Sequence, residues 1–209
     1  MRPEPVNVVE IEVDSLNEHE CMSHIISIIR YMNEKEMFPV PHPEQERMEC
    51  KLPSWMQSLK TKLMSQTTDT NIKLYILRLI LNTSDVFQPF SNHFLVDVLS
   101  LITSESLWPK GKLLNYFFMD LAVMLLSWSE ATNILPDANL MERSYASSLL
   151  ELLMKNLEHP RREIFRYLLD VIQAILELWG GCVQVDYSII HYLFSQSRYH
   201  NNVLVPLER

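Results

Sequence analysis

Glycine is scarce in this chain: Gly111, Gly180 and Gly181 are the three among 209 residues. A loop that cradles phosphate needs glycines so that backbone amides can close on the anion. Nucleotide binding is therefore not expected. Cysteine is equally sparse. Cys21, Cys50 and Cys182 are odd in number, widely spaced and without a CxxC pair, which argues against a disulfide framework and fits reduced thiols in a cytosolic or nuclear protein. Long apolar runs are missing too: the strongest, Leu113 to Trp128, is interrupted by Asp120 and falls short of the roughly 20 residues a membrane span requires. It reads as a buried helix. The chain starts Met-Arg-Pro-Glu-Pro with no apolar signal segment, so Asn82-Thr83-Ser84 is expected to match the glycosylation sequon by chance.

Basic charge is also in deficit, with a formal net charge of -8 that is unevenly placed. Residues 1–50 hold 11 Asp/Glu against 4 Lys/Arg, while residues 51–209 hold 15 against 14. The acidity belongs to the N-terminal segment. Between Lys51 and Ser84 the balance reverses, with Lys51, Lys60, Lys62, Lys73 and Arg78 facing only Asp69. This modest basic stretch is expected on ordinary solvated helix faces, because direct nucleic-acid binders carry a stronger basic signature.

What the chain has is 47% apolar content, enough to fold, set at helical spacing. Asp14 or Ser15 can cap a first helix running to about Met32, with Cys21, Ile25, Ile28, Ile29 and Met32 as its stripe. Asn33 to Lys51, with Pro39, Pro41 and Pro43, reads as an exposed connector. Pro53 then suits a first helical position, and Trp55, Met56, Leu59 and Leu63 follow on one face. Thr70 can cap the partner helix 71–81, which is apolar on nearly every side except at Lys73 and Arg78, as an inner layer would be. A second pair is expected over 89–102 and 112–128, and a third over 139–157 and 160–179.

In the last helix Ile164, Leu168, Ile172, Ile175 and Trp179 form the stripe, Phe165, Leu169 and Leu176 widen it, and Arg166, Asp170, Gln173 and Glu177 line the opposite face. Tyr145, Leu149, Leu153 and Leu157 are expected to pack on it, and Gly180-Gly181 to stop it. Pair starts at 53, 89 and 139 are 36 and 50 residues apart, bracketing the roughly 40 to 47 residues of HEAT and armadillo units. The expected fold is all-α: a HEAT/armadillo-like α-solenoid of about three to four antiparallel helix pairs. An acidic helix and Pro-rich connector would occupy 1–50, the repeats 51–196 and an irregular tail 197–209.

Catalytic, cofactor-binding and metal-binding residues are not expected. His19, Cys21 and His24 form a ligand-like cluster, but on a helix the two histidines lie about 140 degrees apart and cannot close on one ion. His42, His93, His159, His191 and His200 are scattered, without an HExxH motif or a nucleophile elbow. Asp170 and Glu177 share a solvated face with Arg166 and lack the apolar pocket that raises a catalytic carboxyl pKa. Glu151 with Lys155, and Arg166 with Asp170, have i,i+4 spacing and suit ion pairs that support their helices.

Four segments carry a further signal: Leu52-Pro-Ser-Trp-Met56, Asn82-Thr-Ser-Asp-Val-Phe-Gln-Pro89, Leu126-Ser-Trp128 and His159-Pro-Arg-Arg-Glu-Ile-Phe-Arg166. In this order, over about residues 41 to 195, they resemble the helical-repeat scaffold of the catalytic-subunit family of the DNA-dependent protein kinase, within the PI3-kinase-related kinases. Departures include Gln88 where the family has arginine, the loop 103–111, and the tail 197–209. The resemblance implies a segment of the middle HEAT scaffold without the kinase domain, hence no enzyme and no cofactor. It also implies a nuclear role in double-strand break repair by non-homologous end joining. Its partners would be the remainder of a large kinase polypeptide, with the Ku heterodimer and DNA ends reached only through the full-length protein, and no membrane. The alternative is a stand-alone HEAT-type adaptor for a protein or peptide. The helix expected at Tyr187 to Ser195 carries Ile189, Ile190, Tyr192, Leu193 and Phe194, an apolar face through which self-association is expected.

Overall fold

The computed structural model describes residues 20–38, 51–104, 107, 114–132, 140–157, 159, 161–188 and 190–191. Helical periodicity becomes helix, and there is no strand among the described residues. The helices are α1 (Glu20–Glu34), α2 (Ser54–Met64), α3 (Thr70–Asn82), the single turn α4 (Ser84–Phe87), α5 (Leu95–Ile102), α6 (Tyr116–Thr132), α7 (Leu140–Lys155) and α8 (Arg162–Trp179). They fall into two compact units, α1 to α4 in one and α5 to α8 in the other.

In the first unit α3 is the centre, packed by α1, α2 and α4. Its apolar girth explains this: Leu74, Ile76, Leu77, Leu79 and Ile80 are all buried, as a helix contacted on several sides requires. Asp69, rather than the expected Thr70, caps it, accepting from the Asn71 amide at 2.8 Å. Thr70 is instead the first helical residue, and Asp at the N-cap brings a full negative charge to the positive helix end. At the other end Arg30 of α1 donates to the Asn82 carbonyl at 2.9 Å, putting a cation where the helix dipole is negative.

Three expectations for this unit need correction. The buried residues of α1 are Met22 and Ile29, whereas Cys21 is exposed and Ile28 is 58% exposed; the apolar arc was wider than the face its neighbours cover. Pro53 sits at the N-cap of α2 rather than at the first helical position. Its carbonyl accepts from Gln57 at 2.9 Å, a role that does not need the N-H proline lacks. Arg78 is not on a solvated face but is 7% exposed, because α3 is enclosed nearly all round. Beside it, the Trp55 ring lies between Phe38, at 5.3 Å, and Phe87, met edge-on at 5.5 Å.

Glu36 ends α1 with φ of 54°. The Met37 amide reaches the Met32 carbonyl and the Glu36 amide the Asn33 carbonyl, each at 3.0 Å, which is a Schellman ending with a non-glycine residue in the left-handed position. Replacing Glu36 with glycine is expected to stabilise this unit by about 0.5–1 kcal/mol, because the steric cost to Cβ disappears. Denaturant unfolding followed by α1 hydrogen exchange checks it; a loss of stability would refute the strain.

The second unit is a closed circuit: α5 packs on α6 and α7, and α8 packs on both α6 and α7. The continuous helix expected over 89–102 is broken. Pro89 cannot extend α4, since its ring has no N-H to donate and would collide with the carbonyl four residues back. Residues Gln88–His93 instead form a 3-10 segment before α5 restarts with the Val98 amide on the Phe94 carbonyl at 2.8 Å. On α7, Ala146, Leu149, Leu150 and Leu153 are fully buried; on α8, Ile164, Leu168, Val171, Ile175 and Trp179 are buried. Glu151 and Lys155 form the expected pair at 3.5 Å.

Gly180 does end α8, but in the right-handed region, φ -52° and ψ -32°, not in the left-handed cap expected from sequence. A Cβ there would meet the Leu176 carbonyl oxygen. Close approach, not a special dihedral, is what requires glycine.

Candidate functional site

Two polar contacts anchor α8 to α6. Asp120 interrupts the apolar run of α6, and its Oδ1 accepts from the Tyr167 hydroxyl at 2.9 Å, while the Tyr116 ring packs against Tyr167 at 6.4 Å. Burial first, and then the bond to the Asp120 carboxylate and its charge, push the Tyr167 phenol up to about 12. A phenol held protonated orients the carboxylate as a donor and does not serve as a general base near neutrality. Further along, the Trp179 indole donates to Ser129 Oγ at 2.7 Å, and Ser129 donates on to the Leu126 carbonyl at 2.9 Å. Both lie in the buried core, so their role is packing.

The Tyr167 contact gives a signed pH dependence. Its folded pKa is raised above the ordinary 10.0, so the stabilisation it provides is complete below about pH 10 and is lost as pH rises through about 12. Alkaline unfolding of the chain is expected to lose a component in Tyr167→Phe, and phenolate absorbance should lose its latest-titrating tyrosine. Identical alkaline profiles for the two chains would refute the assignment.

The residues weighed as ligands or acids do not converge. Cys21 and His24 are exposed on α1, His19 lies outside the described residues, and among the described residues no group of three His, Cys, Asp or Glu is placed to hold a metal ion. Asp170 and Glu177 are exposed on α8, with Glu177 accepting from the Gln173 amide at 2.8 Å. Lys51 and Lys62 are exposed and Lys60 and Lys73 half-buried, so with Arg78 withdrawn the basic stretch is not one surface cluster. His159 accepts from the Arg161 amide at 3.1 Å through Nδ1, folding the His-Pro-Arg turn before α8.

Exposed apolar faces are the remaining candidates. On α8, Leu169 is 36% and Leu176 50% exposed, although both were expected to widen the buried stripe. The helix expected from Tyr187 starts there, with Asp186 accepting from the Ser188 amide. Tyr187 and Ile190 are exposed, while Ile189, Tyr192, Leu193 and Phe194 lie outside the described side chains. Sequence spacing did not reveal the Asp120–Tyr167 and Ser129–Trp179 pairs; a polar residue interrupting an otherwise buried helix was the one available hint. No helix among the described residues is long and apolar enough to cross a membrane.

The comparisons with known proteins agree with this picture of a piece without its own chemistry. Residues 1–133 match the family model described as DNA-dependent protein kinase catalytic subunit, CC3, and residues 147–204 match that described as DNA-PKcs, CC5. The DNA-dependent protein kinase catalytic subunit of Gallus gallus is 36% identical over 187 residues and that of Xenopus laevis 37% over 189, each alignment covering 90% of this chain. The Dictyostelium discoideum protein of that name is 27% identical over 198 residues. This chain spans 4% of the length of each of these relatives. With well over half of its residues inside the first of the two matches, the chain belongs to the family of the DNA-dependent protein kinase catalytic subunit.

Proposed function

We propose that this chain is a non-catalytic scaffold segment that acts within a larger kinase polypeptide. The observation that carries the reading is the ordered pair of family matches across residues 1–133 and 147–204, on relatives of which the chain is a small part. The circuit of α5 to α8, in which each helix packs on two others, supports a HEAT/armadillo-like stack over 51–196, with 1–50 as a leading segment and 197–209 as a tail. Its place is double-strand break repair by non-homologous end joining in the nucleus, as the relatives' name suggests, with Ku and DNA ends met only through the whole kinase. Exposure of Tyr187 and Ile190 supports self-association of the isolated chain through its C-terminal segment.

Grafting tests the reading. Replacing the corresponding segment of the Xenopus laevis relative with this chain should retain DNA-dependent kinase activity, whereas deleting the segment should lose it. A graft as inactive as the deletion would sink the proposal. The isolated chain should show no ATP turnover, since its glycines cannot build a phosphate-cradling loop; turnover abolished by a point substitution in the chain would overturn that.

A further inference from the structure

We propose that α8 is a self-complementary dimer seam, pairing antiparallel with α8 of a second copy of this chain. Leu169 and Leu176 are exposed and Phe165 and Ile172 half-buried. At about 100 degrees per residue these four fall within one narrow arc of the helix, beside the face turned into the core. Their spacing of 4, 3 and 4 residues is the seam pattern of paired helices.

The charges beside this arc supply the occupant. Arg162 and Arg166 border its N-terminal half and Glu177 its C-terminal half, all three exposed, and Gln173 holds the Glu177 carboxylate at 2.8 Å. Basic residues at one end and an acid at the other make the edge complementary to itself only when a second copy runs antiparallel. A two-fold axis midway between Leu169 and Ile172 sets Phe165 against Leu176 and Leu169 against Ile172 of the other copy. Glu177 of that copy then falls two residues, about 3 Å along the axis, from both Arg162 and Arg166. A parallel pair would set like charge against like.

One helix seam is small beside a standard interface, so the dissociation constant should be on the order of 10–100 µM. The inference moves the association face from the segment after Tyr187 to α8, and its failure leaves the scaffold reading intact because grafting does not depend on it.

Sedimentation velocity on the full 209-residue chain is the test. Glu177→Arg alone, and Arg162→Glu with Arg166→Glu, should each weaken dimerisation by tenfold or more, while an equal mixture of the two variants restores it through swapped pairs. Leu176→Ser should also dissociate the dimer without loss of helicity, because Leu176 is half exposed. A chain that stays monomeric, or variants that associate as the parent does, would overturn the seam. Lost helicity in Leu176→Ser from a monomeric parent would mean that the chain's own residues cover the stripe, which also overturns it.

Discussion

Trp179→Ala is expected to lower the stability of the α5–α8 unit by about 3–5 kcal/mol, the range for emptying a large aromatic site in a packed core. Trp179 is fully buried at the end of α8 and bonds across to α6 through Ser129, so both the apolar contact and the hydrogen bond go together. Trp179→Phe should keep much of the packing and lose the bond, which costs about 1–3 kcal/mol when a buried partner is left unsatisfied. A cycle with Ser129→Ala should show coupling of about 0.5–3 kcal/mol. Because the chain has two compact units, global unfolding need not be two-state. Hydrogen exchange of α6 and α8 amides under increasing denaturant reads the right unit. A change below about 1 kcal/mol, smaller than a typical core truncation, would mean that α8 is not anchored there.

One residue further on, Gly180→Ala should cost about 1–3 kcal/mol, the usual penalty for overpacking. The added methyl would meet the Leu176 carbonyl oxygen. That atom belongs to the helix backbone and cannot swing away as a flexible side chain would. Gly181→Ala is the internal control, since nothing lies within 4 Å of a Cβ there; it should be neutral or stabilise by about 0.4–1 kcal/mol through the unfolded chain. Equal effects at the two glycines in the same exchange measurement would rule out the backbone clash and leave only a general preference for glycine after a helix.

Much of the fold was legible because a helix writes its buried face at a fixed period. Leu149 and Leu153 on α7, and Ile164, Leu168, Ile175 and Trp179 on α8, are buried where spacing put them. Arc edges were not legible. Leu176 and Ile28 belong to apolar arcs by spacing and yet are exposed, while Val171 and Met22 are buried, because only neighbouring helices decide which part of a wide arc is covered. The break at Pro89 was written in one residue, but helical periodicity on its far side masked it. Among the expected candidate groups, the loss of Arg78 from the basic stretch followed from α3 being enclosed, a tertiary fact. Asp120–Tyr167 and Ser129–Trp179 join residues 47 and 50 apart in sequence, a separation at which local pattern carries no information.

Those separations bear on the order of events during folding. The α7–α8 contact closes a short connection, whereas α6 can meet α8 only after the segment between them has been gathered in. Loop-closure entropy rises only slowly with length, so the longer closure is not prohibitive, but it comes before its reward and delays that reward. The indole of Trp179 therefore reports the late step: its burial marks the moment at which α8, already paired with α7, docks on α6. Residues in the α7–α8 hairpin should govern how fast this unit forms, and those around Ser129 how slowly it comes apart.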